Sequence, residues 1–169
     1  MSATRERDQV SALAKSNPKK ALQLARKVSE PWFRAQALSW VARFTDGDVV
    51  VIAAQAAKAA SACDDAYRRS AVRSWEVAAL AERRFTAKAQ KALHEAVQVA
   101  RTVQPISSRS EALFRLFEAA FLIGRPEASK VNSVLTATCP VDEHWRSKRA
   151  VRNASKMLNG ELTPRKFFW

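Results

Sequence analysis

An all-α chain made of repeated helix pairs is the expectation here, and three observations carry it. Among 169 residues only 3 are Gly and 6 are Pro, while Ala is abundant. Ala is the least costly residue in a helix and Gly costs about 1 kcal/mol there. Apolar residues recur at spacings of three and four and seldom alternate. The breakers fall between the periodic runs: Gly47, Gly124 and Gly160 each follow one, and five of the six prolines sit at junctions.

In chain order, residues 3–16 form a short amphipathic lead-in helix with Val10, Leu13 and Ala14 apolar. Ser16-Asn17-Pro18 then supplies a cap followed by Pro at the first helical position. Ala21, Leu22, Leu24, Ala25 and Val28 make the apolar stripe of the next helix. Pro31 opens a third, preceded by Ser29 or Glu30 as cap, and Phe33, Ala37, Leu38, Val41 and Phe44 keep its period. Asp48 caps a run to Ala62 that is apolar on nearly every side, which predicts a helix sandwiched between neighbours.

Asp64 or Asp65 caps a following helix whose Tyr67, Ala71, Val72, Trp75 and Ala79 point inward. A further pair spans Ala92 to Val103 and, beyond Pro105, Ala112 to Phe121. The last pair starts at Pro126, breaks at Cys139-Pro140 and resumes with Trp145, Ala150, Val151, Ala154 and Leu158. Asp142 and Glu143, at the start of that helix with His144, are expected to serve as first-turn acids.

The copies superimpose without gaps. Ala21–Val28 reads Ala-Leu-Gln-Leu-Ala-Arg-Lys-Val, and Ala96–Val103 reads Ala-Val-Gln-Val-Ala-Arg-Thr-Val. Six residues after each final Val stands Arg34 or Arg109, opening Arg-x-x-Ala-Leu. Arg68-x-x-Ala71-Val72 and Ser147-x-x-Ala150-Val151 continue the series, and Ala37, Ala71, Ala112 and Ala150 are 34, 41 and 38 residues apart. A helix pair cannot bury both apolar faces alone, so a repeat of this kind builds one core by stacking.

Over about residues 17–160 this pattern resembles a degenerate tetratricopeptide-like or HEAT-like helical repeat. In tetratricopeptide phase, Lys20–Pro31 resembles a second helix with its closing proline, and Phe33–Gly47 the first helix of the next unit. The resemblance implies a right-handed α-solenoid of about four antiparallel helix pairs plus the lead-in helix, with a concave binding face and no catalytic residues. Residues 1–160 are then a single repeat domain and 161–169 a tail.

Formal net charge is +13, which points to an acidic partner: an acidic protein, nucleic acid or an anionic surface. Residues 1–47 and 125–169 each carry +5, against +1 for 48–85 and +2 for 86–124. Near the front lie Lys15, Lys19, Lys20, Arg26 and Lys27. On the last helix Arg146, Arg149, Arg152 and Lys156, spaced 3, 3 and 4, share one face. These are the candidate polyanion- or partner-binding residues, chiefly Lys19, Lys20 and Lys27 in front and the four of the last helix behind. The plainer reading of both clusters is a solvated cap face. The recurring Arg34, Arg68 and Arg109 read first as a structural ladder between repeats.

Phe167, Phe168 and Trp169 end the tail and are expected either to fold back on the last repeat or to dock onto a partner. Cys63 and Cys139 lack metal-ligand spacing and read as free thiols. No catalytic, cofactor or metal motif is evident: His94-Glu95 diverge on their helix, and no phosphate loop or nucleophile elbow is present. No apolar run reaches the ~18 residues of a membrane span. The expectation is therefore a cytoplasmic, non-enzymatic scaffold for an acidic protein or peptide. A nucleic-acid-binding helical repeat is the alternative, and a helical enzyme a weaker third.

Overall fold

The computed structural model describes residues 1–169 and contains helices and no strands. Ten helical segments follow in order: α1 Ala3–Ala14, α2 Pro18–Ala25, α3 Pro31–Phe44, α4 Val49–Ser61, α5 Ala66–Ala71, α6 Arg73–Glu82, α7 Thr86–Ala100, α8 Ile106–Ile123, α9 Arg125–Thr138 and α10 Trp145–Leu158. Between α5 and α6 only Val72 interrupts, with helical φ/ψ of −68° and −24°, so the two follow one another as a single rod.

Polar side chains at the expected positions start the helices. Asn17 accepts from the Lys20 N–H at 3.0 Å, Asp48 from Val51 at 3.0 Å and Asp65 from Arg68 at 2.7 Å, each satisfying an N–H that the helix leaves free. Glu30 rather than Ser29 caps α3, accepting from Phe33 at 3.3 Å. At α10 the expectation is corrected. His144 is the cap, its Nδ1 accepting from Arg146 N at 3.0 Å, while Asp142 and Glu143 stay exposed.

The packing order is regular. α1, α3, α6, α8 and α10 touch in sequence and form one row. The other helices pack onto that row: α2 on α1 and α3, α4 on α3 and α6, α7 on α6 and α8, α9 on α8 and α10. A single cluster of 45 buried residues runs from Val10 on α1 to Phe168 in the tail, so no second core exists. Ala is the commonest residue in it, and Trp40, Phe117, Phe167, Leu113 and Leu116 are its largest fully buried side chains. Small residues let helix axes approach, and the few large ones fill the gaps between layers.

Two apolar expectations fail. α4 is not sandwiched: Val49, Ile52, Ala53 and Ala56 are buried, but Val51 is 51% exposed and Ala54 and Lys58 face solvent. It belongs to the second row, where only one face meets the first. Trp145, named with the apolar residues of the last helix, is 60% exposed because it is the first residue of α10 and lies opposite the face that carries Ala150 and Ala154. No helix is long and apolar enough to cross a membrane.

Candidate anion-binding site

Much of the positive charge has structural duties, and these must be removed before a site can be seen. Arg109 donates to Val103 O at 3.0 Å and to Thr138 O at 2.9 Å, and Arg69 to Cys63 O at 3.3 Å. Arg83 donates to Thr45 O at 2.6 Å beyond the end of α3, and Arg125 to Leu158 O at the end of α10. Guanidinium groups thus satisfy carbonyls left free at helix ends, where the helix dipole also favours a cation. Arg43 pairs with Glu82, and Arg73 bridges Glu76 at 2.7 Å and Glu95 at 3.0 Å. Burial pushes the Glu76 carboxyl above its ordinary range, with Arg73 pulling it back.

The recurring arginine has a different register from the one read in the sequence. Arg69, not Arg68, matches Arg109, since each bonds a carbonyl six residues before it. Arg68 instead lies near Asp64, Asp65 and Glu30. The signal available in the sequence is the small residue that follows. Arg34, Arg69, Arg109 and Arg146 precede Ala35, Ser70, Ser110 and Ser147, and all four of these are buried. Arg34 departs from the ladder. It makes no such bond and lines a cleft of about 310 Å3 with Arg26, Lys58 and Gln55, without a carboxylate.

The basic stripe of α10 divides in two. Arg146 and Arg149 turn toward α8 and share Glu111, at 3.6 and 3.3 Å. Their guanidinium carbons lie 5.4 and 5.0 Å from the Trp145 ring, within cation–π range. Arg152 and Lys156 are exposed and form no ion pair. Between α8 and α10 a cleft of about 300 Å3 opens, lined by Glu111, Phe114, Arg115, Glu118, Arg146, Arg149, Ala150, Asn153 and Arg165. Four guanidiniums face two carboxylates there, which leaves an excess of positive charge in a partly enclosed space.

The front candidates are arranged otherwise. Lys19, Lys20 and Lys27 are exposed, and no acid lies within ion-pair distance of them. Lys19 borders a cleft of about 450 Å3 between α2 and α4, where Asp46 and Asp48 balance Lys19 and Arg26. Lys15 stands 5.2 Å from the Phe44 ring centroid.

The tail folds back across the first row of helices. Phe167 and Phe168 are 1% and 4% exposed, and Trp169 is 68% exposed. His94 is exposed and borders a cleft with Gln90, Gln98, Glu127 and Lys130. Both thiols are buried. Burial, with Glu30 adding to it, pushes Cys63 up to about 11, and burial also raises Cys139.

The arrangement can hold an anion: forked donors in a recess, an aromatic ring at the rim and no acid–base pair converging with them. None of the protein-family models, curated proteins or solved structures compared with this chain matches it.

Proposed function

We propose that the chain is a non-enzymatic helical-repeat scaffold, a right-handed stack of about four helix pairs, that binds an acidic segment of a protein partner in the cytoplasm. The row order α1–α3–α6–α8–α10, with each remaining helix laid on two members of the row, supports the stacked-repeat part of this reading. The observation that carries the binding part is the α8/α10 cleft, where Arg115, Arg146, Arg149 and Arg165 meet around about 300 Å3. Guanidinium forks match carboxylate geometry, and their weaker hydration lowers the cost of removing them from water. A recess of this size takes one or two acidic side chains, and the exposed Trp145 beside Arg146 and Arg149 supplies the aromatic contact that interfaces favour.

Anisotropy titrations with a Glu-rich peptide at rising salt test the reading. Saturable binding that falls at least about tenfold in the Arg146→Glu, Arg149→Glu, Arg152→Glu, Lys156→Glu variant is expected, a loss of about 1.4 kcal/mol or more. Binding untouched by the four reversals would reduce the stripe to a solvated face. The net charge of +13 and the unpaired Arg152 and Lys156 favour nucleic acid as the second reading. DNA and RNA belong in the same series. Tighter binding with a preference for one sequence or structure, and a steep salt slope, would replace the acidic-peptide reading.

A further inference from the structure

Residues 162–169 take part in no backbone–backbone hydrogen bond; the last such bond in the chain is Glu161 N–H to Lys156 O, at 2.8 Å. The segment is nevertheless seated across α8, α6 and α3, held by side chains. At α8, Arg165 Nε lies 3.0 Å from Glu118 Oε2, and the Arg165 backbone N–H donates to Glu118 Oε1 at 3.1 Å. At α6, the Phe167 ring meets Trp75 edge-on with centroids 5.7 Å apart. At α3, Phe168 meets Trp40 at 5.2 Å and Phe44 at 6.3 Å, both edge-on. The Trp169 ring also reaches Trp40, at 5.2 Å, but sits on the rim and is mostly exposed.

Glu118 gives this contact its meaning. It is an interior residue of α8, only 5% exposed, and its carboxylate has no hydrogen-bond partner other than Arg165. Burial pushes its carboxyl above the ordinary range, while Arg165 and the nearby Arg115 pull it down. A buried carboxylate is costly unless paired. The helical body therefore keeps an acid whose hydrogen bonds are made only to an extended segment, beside aromatic walls that receive the next two side chains. One charged anchor followed by apolar side-chain contacts is how grooves read extended peptides.

We propose that the α3–α6–α8 face is a binding groove for an extended Arg-x-aromatic-aromatic segment of a partner protein, with Arg165–Trp169 as its resident competitor. Glu118 reads the arginine, Trp75 the first aromatic, and Trp40 with Phe44 the second. This site is distinct from the acidic-partner reading, and Glu118 and Arg165 are common to the two. A covalently attached competitor acts at an effective concentration near ~1 mM, so a partner must bind more tightly than the tail or arrive with further contacts.

The probe is a labelled peptide of residues 161–169, Glu-Leu-Thr-Pro-Arg-Lys-Phe-Phe-Trp. The full chain carrying Phe167→Ala and Phe168→Ala is expected to bind it saturably and at least about tenfold more tightly than the wild-type chain, whose groove is filled. Glu118→Gln in the same background, or Arg165→Ala in the peptide, is expected to lower that affinity about tenfold or more, the scale of a lost charge-assisted contact. A tail variant that keeps its helical circular dichroism and cooperative melting but does not bind the peptide overturns the proposal.

Should that variant not fold, the wild-type chain labelled with fluorotryptophan decides. Millimolar unlabelled peptide is expected to move the Trp169 resonance to its solvent position and leave Trp40 and Trp75 in place. An unmoved Trp169 overturns the proposal. A concentration-dependent dimer abolished by the Phe167/Phe168 substitutions identifies a second copy's tail as an occupant and supports the groove.

Discussion

The two basic ends carry equal charge and use it in opposite ways. Residues 1–47 and 125–169 are each +5, with five Arg and four Lys apiece, yet the front cluster of Lys19, Lys20 and Lys27 points separately into water, while Arg146, Arg149 and Arg165 at the rear fold against carboxylates. Lys19, Lys20 and Lys27 have no paired acid within reach; Arg146 and Arg149 share Glu111, flank Trp145 and border a recess that Arg165 enters from the tail. Charge density on a surface gives general attraction that salt screens. Forked donors held by second partners in a recess give geometry, and geometry is what discriminates ligands. Net charge alone does not separate the two ends.

The largest contrast is in stability. Phe167→Ala with Phe168→Ala, which removes two nearly buried rings, is expected to lower the unfolding free energy by about 4 kcal/mol. Lys19→Ala, Lys20→Ala and Lys27→Ala together should change it by less than about 0.5 kcal/mol. Urea denaturation measures both, and comparable losses would erase the distinction between docked and solvated ends.

The thiols offer the next contrast. Cys63 is pushed up to about 11 from its ordinary 9.0, by burial and then by Glu30. A raised pKa keeps the proton on sulfur until the pH approaches 11, so at pH 8 the thiolate is about 100-fold scarcer than for an unperturbed thiol. Cys139 is also raised by burial, but Thr138 and Arg109 oppose the rise. Both sulfurs are also enclosed, Cys63 4% and Cys139 0% exposed, so iodoacetamide at pH 8 should label both far more slowly in the folded chain than in urea, as mass spectrometry would show; rapid labelling of the native protein would contradict these surroundings.

Affinity comes third. Arg146→Glu with Arg149→Glu is expected to weaken acidic-peptide binding about tenfold, and Lys19→Glu with Lys20→Glu and Lys27→Glu by less than about twofold at moderate salt. Equal losses in anisotropy titrations would mean that total charge governs binding.

The smallest expected effect lies at two helix ends. Gly160 and Arg84 both have positive φ, +78° and +64°, and each helix closes with a bond from the residue beyond to a carbonyl five back: Glu161 N–H to Lys156 O and Phe85 N–H to Leu80 O. This is the Schellman closure, which suits Gly because a Cβ strains that conformation. Arg84→Gly should stabilise the chain by about 1 kcal/mol, and Gly160→Ala should destabilise it by a similar amount. Thermal melts of the two variants shifting in the same direction would refute this account.

The local features were legible because they depend on residues three or four apart. Asn17, Asp48 and Asp65 cap the helices they precede, and the apolar stripes of α7 and α8 are buried as their period demands. Where the neighbours are remote, the same rules misled. Val51 belongs to a run that is apolar on nearly every side, yet it lies opposite the face of Ala53, Ala56 and Ala60, and nothing covers that side of α4. Trp145 is apolar, yet it stands at the first position of α10 on the side opposite Ala154. Both residues lie in helices where the sequence places helices; what it does not give is which face has a neighbour. The Arg-x-x-Ala spacing points to Arg68, whereas Arg69 is selected by the Cys63 carbonyl six residues before it.

Composition, period and breakers by themselves determined an all-α chain, most of its helix starts and the concentration of positive charge at its two ends, because helix formation and capping are interactions within one or two turns. The tertiary structure decided which charges are free. Arg149 meets Glu111 across 38 residues, and Arg165 meets Glu118 across 47. It also decided that Phe167 and Phe168 lie against Trp75 and Trp40 rather than in water. Such pairings are set by how rods stack and where the chain returns, and the energy that selects them comes from burial shared among distant segments.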